Sequence, residues 1–300
     1  MIKYLILILI ISFIVVLVLD AYYDTINKIK SISFYDKKQI GKFLKTDKNA
    51  IEYINSIDKK TIKYKIKNSK NLNDYYKAFN DFTKDDKEKI IYQIEHLPKN
   101  NLLKNFKWNF AKTDTKLEMA MPYTLQDIIF TPTNMLDSLN NNVYNKDIAF
   151  VLCHESIHVL QRQYPHNFDK FIKDKLKFYK LQIFGKKPLV EFVNPDGPQQ
   201  KNNYSWCFEI KNVIYCPFLQ LNDDGTLSKT AVKLTKNKDK YYFTNNTEDV
   251  ATLLQKRFPN CPISQLYHPN EILAEMGAKY IMYGKSGNSK IDKFYNNFYK

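Results

Sequence analysis

Apolar and polar positions along the chain follow a few distinct periods, and each period predicts an element. The first is an apolar run from Tyr4 to Leu19, stopped by Asp20. With its flanks it has the length of a bilayer-crossing helix. No small-residue cleavage site follows, so residues 1–20 read as an uncleaved transmembrane signal anchor. Lys3 before the run and Asp20 and Asp24 after it put the N-terminus in the cytoplasm and the body of the chain in an extracytoplasmic or lumenal space. Residues 21–86 are lysine-rich and loosely periodic, the pattern of a helical stalk or an N-terminal subdomain. Lys87 to His96 predicts a helix ended by Leu97-Pro98, and Met119 to Pro132 a strand closed by proline. Asn145 caps a helix beginning near Lys146, and a stripe of Phe168, Ile172, Leu176 and Tyr179 predicts another over 167–181. Between Pro188 and Tyr242 apolar β-formers alternate with turn residues, which predicts a β-rich insertion over about 188–242. Helix returns at 247–258 and at 269–283. Residues 87–300 thus form one α+β domain.

Composition narrows the partners. The net charge of +15 invites a nucleic-acid reading, but Arg162 and Arg257 are the only arginines and the other basic residues are lysine. Specific base readout leans on arginine, and no nucleic-acid-binding motif is present, so no nucleic acid is expected. The lysine, asparagine and isoleucine excess is what an AT-rich genome writes. Attraction to an anionic membrane surface fits the anchor better. Four cysteines without a C-x-x-C pair make neither a disulfide scaffold nor a zinc ribbon. Cys207 and Cys216 flank a hairpin whose turn is Lys211-Asn212, either bridged or as two half-buried thiols.

The chemistry concentrates in His154-Glu155-Ser156-Ile157-His158. On a helix, residues four apart share a face, so both imidazoles can meet one metal ion. Glu155 then stands where its carboxylate reaches a water at the metal without being a ligand. The flanks, Ala149 to Cys153 and Val159 to Leu160, are apolar almost all round. A helix of that kind is buried, and buried polar groups are costly unless paired or metal-bound. Catalytic zinc usually takes three protein ligands. A histidine six residues after His158 would fall at position 164, which is tyrosine. The candidate stretch for the third is instead His268-Pro269-Asn270-Glu271-Ile272-Leu273-Ala274-Glu275, in which Glu271 and Glu275 share a helix face.

With the HExxH stretch, Asn270-Glu271 and Glu275, the chain resembles the gluzincin branch of the zincin metallopeptidases. Met121-Pro122-Tyr123-Thr124 and Gln161-Arg162 add a similarity to uncharacterised zinc metalloproteinases of large DNA viruses and bacteria. The resemblance covers roughly 119–283. It implies an active-site helix on a small sheet and a second helix that carries the third ligand. It implies one Zn2+ per chain on His154, His158 and Glu271, with Glu275 holding a ligand histidine and Glu155 as general base. The implied activity is peptide-bond hydrolysis on a peptide or protein substrate at a membrane. His268 is a rival ligand, and Tyr267, His268, Tyr204 and Tyr123 are candidate donors to the transition state. Gln126 to Thr131 is the expected substrate-binding edge strand. The alternative is a catalytically silent zincin-like protein, a structural or binding component of a membrane or virion. Two departures stand out: the gap from His158 to Glu271 is long, and Glu275 replaces the family's usual aspartate.

Overall fold

The computed structural model describes residues 10, 13–15, 31–69, 71–196 and 204–299. In chain order its strands and helices are β1 (Ile32–Tyr35), α1 (Lys37–Thr46), α2 (Lys48–Ser56), α3 (Ile62–Lys65), β2 (Phe79–Asn80), α4 (Lys84–Glu95), β3 (Trp108–Thr113), β4 (Tyr123–Leu125), β5 (Ile128–Pro132) and α5 (Thr133–Asp137). There follow α6 (Lys146–Gln163), α7 (Pro165–Asp174), β6 (Phe178–Phe184), β7 (Tyr204–Ile210), β8 (Val213–Leu221), β9 (Leu227–Asn237), β10 (Lys240–Asp249), α8 (Val250–Leu254), α9 (Pro269–Tyr283) and α10 (Ser289–Asn296).

The first sheet has the order β1-β3-β5-β4, with β2 added to β3. β1, β3 and β5 run parallel and β4 is antiparallel to β5. Parallel strands need cover on both faces. Trp108, Phe110 and Ile129 meet the core of α6 and α9, while Ala111, Ile128 and Phe130 meet Ile40, Leu44, Tyr53 and Ile54 of α1 and α2. Residues 31–86 therefore contribute strands and one covering layer to the sheet. The second sheet, β6 to β10, closes into a barrel when β10 pairs in parallel with β6. Ile183, Cys207, Cys216, Phe218, Val232 and Leu234 fill it. α6 packs against both α9 and β4, which sets the HExxH helix beside the sheet edge.

The fold is α+β with a closed five-stranded barrel, and it corrects several expectations. No helix among the described residues is long and apolar enough to cross a membrane. The transmembrane helix ahead of the domain, and with it the single-pass localisation, is not supported. Of the run from Tyr4 to Leu19, only Ile10 and Phe13 to Val15 are described, as helix; the rest lies outside the described residues. The helix over 167–181 stops at Asp174, and Phe178 opens a barrel strand after Lys177 takes φ 55°. Phe168, Ile172 and Leu176 of its apolar stripe do reach the core, whereas Tyr179 falls half-buried on the strand beside the inward-facing Phe178. The β-rich region is thus wider than 188–242 and is a barrel in its own right. Met119 to Pro132 holds two strands, because Gln126 turns the chain at φ 55°, a conformation its side chain does not announce. The helix expected at 247–258 shrinks to α8, since β10 runs to Asp249. Lys211 and Asn212 do form a two-residue turn, both at positive φ as a type I′ hairpin requires. Cys207 and Cys216 within that hairpin are free, buried thiols.

Candidate metal centre

Two helices bring the site together, and local chemistry starts both where they do. Asn145 Oδ1 accepts from the backbone N–H of Asp147 and Ile148, capping α6. α9 begins at Pro269, where a missing N–H costs nothing, and His268 Nδ1 accepts from Asn270 N–H. It ends at Gly284, in the left-handed conformation at φ 73°. The helices cross closely at Gly277, where an added Cβ would lie 2.8 Å from Ile157 Cγ1 and 2.8 Å from the Tyr295 hydroxyl.

At this crossing His154, His158 and Glu271 form a group that could hold a metal ion. His154 Nε2 and His158 Nε2 are 3.1 Å apart, and each lies 3.4 Å from Glu271 Oε2. Three donors at about 2.0–2.1 Å from one tetrahedral zinc stand roughly 3.3 Å from each other. The triangle therefore fits such an ion. His158 is fully buried, and only 12 % of the His154 side chain is exposed. Glu271 is buried too; that alone would raise its pKa, but the two imidazoles hold it well below the usual carboxylate range. Burial works against a charge on His154, yet the carboxylates of Glu271 and Glu275 push its pKa well up.

Around the triangle, other side chains fix its orientation. His158 Nδ1 lies 3.1 Å from Gln161 Oε1, and Gln161 Nε2 donates to the Asn270 carbonyl. A proton on Nδ1 leaves Nε2 with a lone pair for metal. Glu275 Oε2 is 3.7 Å from His154 Nδ1, an ion-pair distance longer than a hydrogen bond. Asn194 Nδ2 donates to Glu271 Oε1 and to the Tyr267 hydroxyl, so Oε2 is the oxygen turned to the histidines. Glu155 is buried, and its Oε2 has no hydrogen-bond partner. Burial first, then Asp196 and Glu271, push its pKa well above the usual carboxylate value. Buried carboxylate oxygens are ordinarily hydrogen-bonded, so Glu155 Oε2 calls for a partner in the site.

The structure brings together His154, Glu155, His158, Glu271, Glu275, Tyr267 and His268. Tyr267, His268 and Glu271 line one end of a cavity of about 1010 Å³ that runs to the barrel wall at Trp206. Tyr204 lies on the same cavity, 43 % exposed. Tyr123 is elsewhere: it stacks on Phe130 and bonds Tyr75 in the other core. Residue-by-residue reading missed Asn194 and Asp196, which come from an irregular segment that no periodicity marks. Gln161 had a signal, since it stands three residues from His158 on one helix face. The comparisons add no relative: no family model, no curated protein and no solved structure matches the chain.

Proposed function

We propose that the chain is a zinc-dependent peptidase of the gluzincin type, and the observation that carries it is the unpartnered Glu155 Oε2 beside the His154–His158–Glu271 triangle. A site built only to hold the fold together has no use for a buried carboxylate without a partner. Two imidazoles and a carboxylate are a common catalytic zinc donor set. His154, His158 and Glu271 would hold the ion, which supplies Lewis acidity to a carbonyl and to water when bound.

The chain's own residues do the rest. Glu155, its basicity raised by burial, takes the proton of the attacking water and returns it to the leaving amine. The Tyr267 hydroxyl stays protonated, because burial and then Glu271 push its pKa well up. Burial lowers the pKa of His268 to about 4, so its ring is neutral at pH 7. Asn270 N–H donates to His268 Nδ1, which puts the ring proton on Nε2. Both side chains are thus neutral donors at the cavity end, suited to a developing oxyanion. A peptide in extended form fits the sheet edge by strand addition. That edge is β4; the expected Gln126 to Thr131 includes β5, an interior strand.

Glu155→Gln tests this reading. Zinc content should be unchanged, and cleavage of a diverse peptide library should fall by about 10²–10⁴-fold, the usual worth of a general base. Equal cleavage by the two forms, or bound zinc with no cleavage by the wild type, would defeat the proposal.

A further inference from the structure

The free edge of β4 is already taken. Leu125 and Ile128 pair across the two-residue turn Gln126-Asp127, so they form the hydrogen-bonded pair that closes it. Thr124 opposite Ile129 is then a non-hydrogen-bonded position, and its backbone N–H and C=O point away from β5. These are the groups an added strand would use. In the structure Asp196 Oδ1 accepts from Thr124 N–H at 2.6 Å and from its hydroxyl at 3.2 Å. The Thr124 carbonyl accepts from Arg162 at 3.0 Å, and the same guanidinium nitrogen donates to the Pro195 carbonyl at 2.6 Å.

The segment from Val193 to Asp196 is fastened along its whole length. Lys65, fully buried and paired with Glu118 at 2.6 Å, donates to the Val193 carbonyl at 2.6 Å. Asn194 reaches the metal triangle through Glu271 Oε1. Pro195 has no N–H to offer a neighbouring strand. Asp196 is 8 % exposed; burial pushes its pKa up, and His158, the Thr124 N–H and Arg162 pull it partly back. Its carboxylate accepts from the Thr124 backbone N–H and hydroxyl at the sheet edge.

We propose that Val193–Asp196 is an internal strap that occupies the substrate-binding edge and keeps the site latent until an extended peptide displaces it. The inference rests on the peptidase reading for its consequence, but on the hydrogen bonds of Thr124 for its geometry. A bound strand and the strap compete directly for the Thr124 N–H, while Arg162 holds the Thr124 carbonyl and ties it to the Pro195 carbonyl. The strap's carboxylate substitutes for a peptide carbonyl at the Thr124 N–H. Removing that carboxylate frees the Thr124 N–H and leaves His154, His158, Glu271 and Glu155 in place, but it also removes a charge that raises the Glu155 pKa, so peptide binding in the Glu155→Gln background is the deciding readout.

The test uses the full chain carrying zinc, and a fluorescent pool of random decapeptides as probe. Binding is measured in Glu155→Gln and in Glu155→Gln with Asp196→Ala, so that turnover does not enter. Cleavage is measured in the wild type and in Asp196→Ala. Zinc content and the melting profile confirm that each variant is folded. The strap predicts about tenfold tighter binding and about tenfold faster cleavage without Asp196, within the roughly 5–150-fold range of typical couplings. If Asp196→Ala does not fold because Arg162 loses its counter-charge, Asp196→Asn keeps the shape without the charge and should show a smaller rise in both. Unchanged or weaker peptide binding in a folded, zinc-loaded variant overturns the strap. Tighter binding with no cleavage in any form upholds the strap and sinks the peptidase reading.

Discussion

At the scale of single residues, the site depends on side chains that never touch a metal. Gln161 holds the Nδ1 side of His158 and ties it to the Asn270 carbonyl on the other helix. Gln161→Ala should weaken zinc binding by about 10–100-fold, the usual effect of losing such a support, while circular dichroism stays unchanged. Zinc titration against a chromophoric chelator reads this directly, and an unchanged affinity would mean that His158 is held by packing alone. How much of this was legible in the chain is itself a residue-scale matter. His154, Glu155 and His158 announce themselves because their spacing matches one helical face, and Glu271 and Glu275 because theirs does too. Asn194, Asp196 and Arg162 act through bonds to residues between 33 and 77 positions away, a relation no local pattern encodes.

At the scale of elements, the crossing of α6 and α9 decides whether the ligands meet. Gly277 lets the helices approach, with Ile157 and Tyr295 filling the space a side chain would need. Gly277→Ala forces these to shift and should cost about 1–3 kcal/mol in a urea melt, despite alanine's better helix propensity. Zinc affinity should fall with it, because Glu271 rides on α9. A second seam joins α4 to β3. Asp86 closes the α4 capping box with Thr83 and accepts from Lys112 of β3 at 2.8 Å. Burial would raise its pKa, but Lys112 and Thr83 bring it below the ordinary carboxylate value. A carboxylate depressed in the folded state stabilises above its unfolded pKa of about 3.9, and that stabilisation fades as pH falls through the folded value. Asp86→Asn should therefore cost about 1–3 kcal/mol at pH 7, with the gap from wild type closing below about pH 4. A gap that stays constant down to pH 3 would assign the effect to the cap's shape instead of its charge. The elements with strong periodicity, α6 and α9, have the limits their caps predict. β4, β6 and the shortened α8 did not follow the sequence, since their boundaries rest on Gln126 and Lys177 at positive φ and on barrel pairing.

At the scale of the molecule, α6, α9 and the Val193–Asp196 segment at the edge of the first sheet converge on the group that could hold a metal ion. The barrel separates α6 from α9 in the chain and accounts for much of the long gap between His158 and Glu271. A metal bound by both helices would act as a clasp between distant parts of the sequence, since a ligand that binds only the folded chain stabilises it by mass action. We propose that His154 and His158 of one helix and Glu271 of another hold a single zinc. The measurement that tests it most directly is the metal content of the purified full chain by mass spectrometry under native conditions, beside that of Glu271→Ala. The expected result is one zinc per wild-type chain, and zinc lost from the variant at micromolar free metal while its secondary structure persists. A folded wild type that takes up no zinc, or a variant that keeps it as tightly, would contradict the account.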